Sequence, residues 1–448
     1  MVTRGDWITP YWNNAPFHDK PPLVMWFMAA GMTIIKSPEL AARLPSAIAG
    51  LFAIATTILL GRVLFCLWTG LIAAVLLLVS SKSWWVNFVM LARQGMLDVP
   101  LTGFTIWAFL HLYRGIQRPQ HWLLMGLPLG LAMLTKSFLT LPIVLTIVIF
   151  VIVLVLQGQP FSRMHWRYAA GCVTLALTVS LPWHLVQVVQ HGNDFFDGYV
   201  LIHFMKTQRP EAGNLGARSF YLIAIGQALP YLAWLGVPAI AFALWRIHRF
   251  RDNRALLLAV WIAVPLLLFS PIPTKLPWYV VPVLPALVLA IAALFRAAIP
   301  QHWIAETFFL ATLVFFVAIW NIRALKPLDA SRDVKALGGC VNRITPIREE
   351  IAYYDPSSTD DPEVRPLWNI PPSVLVYGRS PMVRIRDTTE LEQWIGQGGR
   401  FVWTEESFAG QLPGSFRLIV AVGNQQYFRH RDGSRFENNC SVPDANER

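Results

Sequence analysis

The run FLTLPIVLTIVIFVIVLVLQ, residues 138–157, carries no charged side chain. An apolar stretch of that length suits one helix across a hydrocarbon core ~30 Å thick. A polar connection with Arg163 and Arg167 follows it, and another apolar run begins at 168. Working outward, comparable runs lie at about 22–36, 45–65, 67–81, 98–113 and 122–135 on the N-terminal side. On the C-terminal side they lie at 168–190, 219–245, 255–270, 277–298 and 303–321. The spacing predicts a polytopic α-helical membrane protein of about 11–12 transmembrane helices.

The composition agrees. Hydrophobic residues make up 55% of the 448 positions and charged residues only 14%, with mean hydropathy +0.47. Soluble domains carry nearer ~25% charge, so a cytosolic enzyme is excluded, as are a disordered chain and, with four cysteines, a disulfide framework. The 27 Phe, 19 Trp and 11 Tyr match the aromatic loading of membrane interfaces. The net charge of +11 is unevenly placed: residues 327–448 hold 14 basic and 17 acidic side chains, so the excess lies in the membrane half. Nucleic acid is therefore not the expected partner.

Basic connections at 114–121, 157–167 and 246–254 read as cytoplasmic. Counting crossings from them puts 82–97, 191–218, 271–276 and everything after 322 outside. The N-terminal part has one run too many: either one run is re-entrant, or Ser83–Met96 forms an additional short helix. Met1–Lys20 has no apolar core of the signal-peptide kind. The chain divides into an exterior loop at 1–21, a membrane domain at 22–325 and a soluble domain at 326–448. In the last, strand-like runs at Ser373–Tyr377, Phe401–Thr404 and Phe416–Val422 alternate with a helix-like stretch at Thr388–Ile395, which predicts a small α/β module. Cys340 and Cys440 fall there, where an oxidising exterior favours a disulfide and two unpaired thiols are the alternative.

Nine acids precede residue 327: Asp6, Asp19, Glu39, Asp98, Asp194, Asp197, Glu211, Asp252 and Glu306. Asp252 reads as a solvated charge in a basic loop, and Glu39 and Glu306 as helix-end residues. The other six fall outside. Asp98 stands where a loop enters an apolar helix, either as its N-cap or as a carboxylate at the membrane surface with a dedicated partner. Lys20, Lys206, Arg209, Arg218 and Lys275 are bases on the side that normally lacks them. Lys275, in a tight turn between Pro273 and Pro277, either snorkels to headgroups or neutralises the phosphate of a lipid-linked substrate. His18, His184, His191 and His203 also lie in or beside exterior segments. A divalent metal held by one of them with Asp19 or Glu211 is an open alternative that no ligand spacing supports.

Gly5-Asp6-Trp7, then Phe17-His18-Asp19-Lys20-Pro21-Pro22-Leu23 and Trp26, resemble the first exterior loop of the bacterial GT-C glycosyltransferases. These are the protein O-mannosyltransferase-like family that includes the lipid A aminoarabinose transferase. The resemblance continues in order through Ala42-Arg43-Leu44-Pro45-Ser46, Ala92-Arg93, Leu97-Asp98, Leu134-Thr135-Lys136, Leu181-Pro182-Trp183-His184 and Thr274-Lys275-Leu276-Pro277-Trp278-Tyr279. It implies a multi-pass enzyme of the bacterial inner membrane with its soluble domain in the periplasm. Such an enzyme takes a sugar from a polyprenyl-phosphate donor and gives it, with inversion, to a lipid A-like glycolipid, a glycan or a protein.

Residue by residue, the resemblance puts Lys20 on the lipid phosphate, with Lys275, Tyr279 and Arg209 beside it. It makes Asp98 and Asp19 the catalytic acids, and assigns Asp19 and His203 to a divalent metal. The pattern around His203 departs from the family's. The family also carries an Asp–Glu pair and a helix ahead of the Gly-Asp-Trp motif, whereas this sequence starts at Met1 directly before it. The expectation is that Met1 is an internal methionine of a longer frame, or that the chain is an inactive family member. A lipid or sugar transporter is the rival from another class, opposed by charges clustered on one membrane face and by the lack of an inverted repeat.

Overall fold

Residues 138–157 form the end of a nearly continuous helical stretch, Gln120–Leu156, interrupted by a 3-10 turn at Ser137–Thr140. The structure is a computed structural model. It describes the chain except for Thr3, Asn14, 80–85, 202–203, 205–215, 230–232, Pro300, 325–331, 346–348, 357–379 and 432–448.

The N-terminal helices are α1 (Leu23–Ile34), α2 (Pro38–Leu64), α3 (Leu67–Leu77), α4 (Phe88–Gln94) and α5 (Asp98–Gly115). They are followed by α6 (Gln120–Leu124), α7 (Gly126–Lys136), α8 (Leu141–Leu156) and α9 (Arg163–His191). Further helices occupy Phe220–Ala228, Ala233–Phe250, Asn253–Phe269, Leu284–Ala298 and Trp303–Ala324. Among the described residues, five stretches are long and apolar enough to cross a membrane: Pro38–Leu64, Gln120–Leu156, Arg163–His191, Pro277–Ala298 and Trp303–Asn321. Leu23–Ile34, Leu67–Leu77 and Asn253–Phe269 are shorter apolar helices. The seven-residue α4 falls inside Ser83–Met96, the stretch offered as an additional short helix in place of a re-entrant run. At 12 and 11 residues, α1 and α3 rise only about 18 and 16 Å.

The chain separates into two compact units, Met1–Pro10 with His18–Lys326, and Tyr11–Phe17 with Pro327–Arg448. In the first, α2 packs on α1, α3 and α5, and α7 packs on α5 and α9. The α7–α9 seam is a small-xxx-small contact. A Cβ on Gly126 would fall 2.4 Å from the Cys172 carbonyl oxygen, and one on Gly130 would fall 2.8 Å from that of Ala176. Large apolar side chains such as Leu156, Val189, Leu267 and Phe308 face outward, as lipid-facing residues do.

The second unit holds a five-stranded sheet of order β4-β3-β5-β7-β6. Its strands are β3 (Ile351–Tyr354), β4 (Met382–Ile385), β5 (Phe401–Glu405), β6 (Phe416–Val422) and β7 (Gln425–His430). β3 runs parallel to β4 and β5, and β7 is antiparallel to β5 and β6. Strand alternation sorts the core onto two faces. Ile351 and Tyr353 meet Leu337 and Val341 of the helix Arg332–Ile344, while Ala352 and Tyr354 meet Leu391 and Trp394 of Thr388–Gly396. Two expected strands and the expected helix are present, and Ser373–Tyr377 lies outside the described residues. A hairpin of β1 (Tyr11–Trp12) and β2 (Ala15–Pro16) belongs to this unit. The Asn13 amide pins it to the edge strand, donating to the Met382 carbonyl at 2.5 Å and accepting from the Met382 N–H at 3.0 Å. Cys340 is disulfide-bonded and Cys66 and Cys172 are free thiols; Cys440 lies outside the described residues.

Candidate active site

The first loop is built by its own polar groups. Asp6 accepts from the Ile8 and Thr9 N–H groups at 2.9 and 3.0 Å, an Asx turn that spends this acid on structure. The turn is roofed by indoles: Trp26 donates to the Trp7 carbonyl at 2.6 Å and Trp183 to the Ile8 carbonyl at 2.8 Å. Thr9 Oγ1 lies 3.0 Å from His191 Nε2 and accepts from Gln187 at 3.2 Å, so the loop is fastened to the last turns of α9.

That fastening sets the position of His18, Asp19 and Lys20 ahead of α1. Lys20 Nζ lies 2.8 Å from Asp19 Oδ2, with Asp19 buried and Lys20 partly open. His18 is buried against His191, with ring centroids 4.8 Å apart, and against Phe195. Burial first, and the His191 charge second, bring the His18 imidazole down to about 4, while Asp194 opposes them. His18 is therefore a neutral ring at pH 7.

Asp98 is fully buried at the start of α5, yet it does not cap the helix. The N-cap is Leu97, with no side-chain cap bond. Asp98 Oδ2 instead accepts from Lys136 Nζ at 2.7 Å, and Asp98 Oδ1 has no hydrogen-bond partner among the described residues. The capping alternative is thus replaced by a buried ion pair. Lys136 closes α7, and the 3-10 turn beginning at Ser137 touches the next cluster. There the Ser137 and Tyr199 hydroxyls meet, and Tyr199 lies 2.6 Å from His184 Nε2. Burial, and then the nearby Asp19 carboxylate, push the Tyr199 phenol well above its ordinary range.

Lys275 is buried, donating to the Ser270 carbonyl at 2.6 Å and to the Phe269 carbonyl at 3.2 Å, and lies 5.3 Å from the Tyr221 ring centroid. It therefore satisfies the carbonyl end of the helix Asn253–Phe269. Burial, followed by the Arg218 charge, lowers its pKa. Tyr279 lines a small apolar cavity of about 20 Å³ together with Leu101, Thr105, Phe109, Trp261 and Phe269, one turn along α5 from Asp98. Arg209 and His203 lie outside the described residues. Among the described residues no three His, Cys, Asp or Glu side chains gather to hold a metal ion, so no step is assigned to one.

The remaining acids have local work. Asp252 is buried, not solvated, because Arg246 and Arg254 donate to it at 2.7 and 2.9 Å. Burial works against its charge, but those hydrogen bonds prevail and hold its pKa below the usual carboxylate value. Glu39 sits beside the N-cap Ser37, and Glu306 pairs with Arg296 at 2.7 Å. Lys136, Ser137 and Tyr199 were missed as site residues. Lys136 had a visible signal: a lone cation between two apolar runs needs a buried partner.

Residues 19–184 match the sequence model of the family described as dolichyl-phosphate-mannose-protein mannosyltransferase. An undecaprenyl phosphate-alpha-4-amino-4-deoxy-L-arabinose arabinosyl transferase of Pseudomonas aeruginosa is 28% identical over 296 residues, 63% of this chain and 51% of that protein. One named likewise from Sodalis glossinidius is 30% identical over 312 residues, 65% of this chain and 52% of that protein. The chain spans about half the length of the curated relatives it matches. In three dimensions it resembles ArnT from Cupriavidus metallidurans bound to undecaprenyl phosphate, with a TM-score of 0.71 at 16% identity over 96% of this chain and 91% of that one. The oligosaccharyltransferase of Archaeoglobus fulgidus gives 0.52 at 13% identity over 90% of this chain and 63% of that one. Helical membrane unit, C-terminal sheet and these likenesses together define the GT-C fold. The chain shares the fold of ArnT, and in sequence it is similar to the arabinosyl transferases and, over residues 19–184, to the protein mannosyltransferase family.

Proposed function

We propose that this chain is an inverting glycosyltransferase. It moves a sugar from a polyprenyl-phosphate donor to an acceptor outside the cytoplasmic membrane, of the lipid A-like glycolipid, glycan or protein class. The observation that carries the reading is Asp98, a buried carboxylate with one oxygen on Lys136 and the other without a partner among the described residues, inside the stretch 19–184 matched by the mannosyltransferase family. An ion of that depth is costly to keep and is held for use.

The acceptor oxygen attacks C1 of the sugar as the C1–O bond to the lipid phosphate breaks, and the electron pair leaves with the phosphate. Lys20 stabilises that growing charge from the membrane surface. Lys275 has two of its three N–H groups on carbonyls, which leaves one for the same phosphate. Tyr279 and Arg209 complete this site. The free Asp98 oxygen takes the acceptor proton, and Lys136 holds the carboxylate in place. The enzyme sits in the bacterial inner membrane with residues 326–448 in the periplasm, supported by the basic loops facing the other way and by the disulfide at Cys340.

Washed membranes containing the protein, given a radiolabelled polyprenyl-phosphate sugar, test the reading. Label moving to an extracytoplasmic product is expected. Unconsumed donor, with all label still on the polyprenyl phosphate, would contradict it.

A further inference from the structure

His184 Nδ1 lies 2.8 Å from the Ser180 carbonyl, an oxygen that only accepts, so Nδ1 carries the ring proton. Nε2 is then the acceptor, and the Tyr199 hydroxyl 2.6 Å away donates to it. On its other side that hydroxyl oxygen accepts from Ser137 Oγ, whose single O–H is shared with the Met133 carbonyl at 2.9 Å. Tyr199 is 5% exposed, packed with Leu23, Leu134, Trp183 and Phe195, and close enough to Asp19 to feel its charge. Ser137 directly follows Lys136, which holds Asp98. One two-residue joint at the end of α7 therefore reaches Asp98 through Lys136, and the surroundings of Asp19 through Ser137, Tyr199 and His184.

We infer that Tyr199, locked between neutral His184 and Ser137, is a positioning residue that holds the Asp19–Lys20 corner in register with Asp98 for sugar transfer. The inference rests on the transferase reading above. The lock needs the accepting nitrogen of His184. A protonated imidazole presents a second N–H there, and the Tyr199 O–H must turn away. The other titratable groups around it are Asp19 and Lys20 ahead of α1, Asp98 and Lys136, and Asp194 and Asp197 on the segment bearing Tyr199. His191 lies two turns further along α9, with the His18 ring packed against it at a tilt of 59°.

The test uses protein expressed from its own locus and a polyprenyl-phosphate sugar as donor. Tyr199→Phe keeps the ring and removes the hydroxyl, and is expected to lower kcat about 10- to 10²-fold while donor KM stays within about twofold. His184→Gln offers an amide oxygen that accepts the same hydrogen bond and does not titrate. It should keep most of the rate and remove the His184 contribution to the acid limb of the kcat–pH profile, a change that a purely structural role would not produce. Wild-type kcat in Tyr199→Phe, or an unmoved acid limb in His184→Gln, overturns the inference while wild-type transfer upholds the proposed function. No transfer by the wild-type protein overturns both. If Tyr199→Phe fails to accumulate in the membrane, the His184→Gln pH profile decides.

Discussion

Lys136 and Asp98 are each tolerable only because of the other. Lys136→Met leaves a buried carboxylate without its cation and should destabilise the protein by about 3–5 kcal/mol, read as a fall in thermal stability in detergent. The double variant Asp98→Leu with Lys136→Met removes both charges, so it should regain most of that stability and none of the activity. If the double variant is as unstable as the single, the pair is not the reason these residues are charged. His18 gives a pH prediction. Its pKa is depressed from 6.5 to about 4, so the unfolded chain binds the proton more readily. Its contribution is complete above pH 6.5 and is lost as pH falls toward 4, by about 2 kcal/mol at pH 5. His18→Phe should flatten the stability–pH curve over that window; an unchanged slope would assign the acid sensitivity elsewhere. Residues whose chemistry is anomalous for their place were legible in the sequence. Asp98 was found because an acid at the mouth of an apolar helix is conspicuous. Its partner 38 positions away was not, because pairing across α5 and α7 depends on how the helices pack. Tyr199 was invisible for another reason: a tyrosine in a loop carries no signal until His184 and Ser137 are seen beside it.

Helices were read from apolar length and met the structure closely, since a membrane span needs little beyond length and hydropathy. What length does not tell is which face packs. The α7–α9 seam depends on Gly126 and Gly130, where backbone carbonyls of α9 leave no room for a side chain. Gly130→Leu should force the helices apart and cost on the order of 1–3 kcal/mol or more. Because α7 ends at Lys136 and α9 carries His184, activity should fall with it. A Gly130→Leu protein with wild-type stability and rate would show that the seam is not tight. The sheet was only half legible. β5 and β6 have the length expected of strands, but β3 and β4 are four residues each, β3 buried throughout between the helices Arg332–Ile344 and Thr388–Gly396 and β4 at the sheet edge, so neither shows a readable period.

At the scale of the molecule, the proposed orientation rests on charge: it puts the basic loops on the cytoplasmic side and the proposed site residues on the other. A reporter active only in the periplasm, fused after Arg448, is expected to be active, and a cytoplasm-only reporter to stay dark; the reverse pattern would invert the orientation. The division into a membrane region and a C-terminal sheet domain was legible because composition changes abruptly near residue 326. The assignment of Tyr11–Phe17 to the C-terminal unit was not legible, since it rests on an asparagine amide meeting one backbone peptide. The most direct test of the central claim is transfer by the purified protein from a radiolabelled polyprenyl-phosphate sugar to membrane acceptor, with Asp98→Asn alongside. Label should leave the donor with stoichiometric release of polyprenyl phosphate, and Asp98→Asn should be slower by about 10²–10⁴-fold. Intact donor in the wild type, or equal rates in the two proteins, would contradict it.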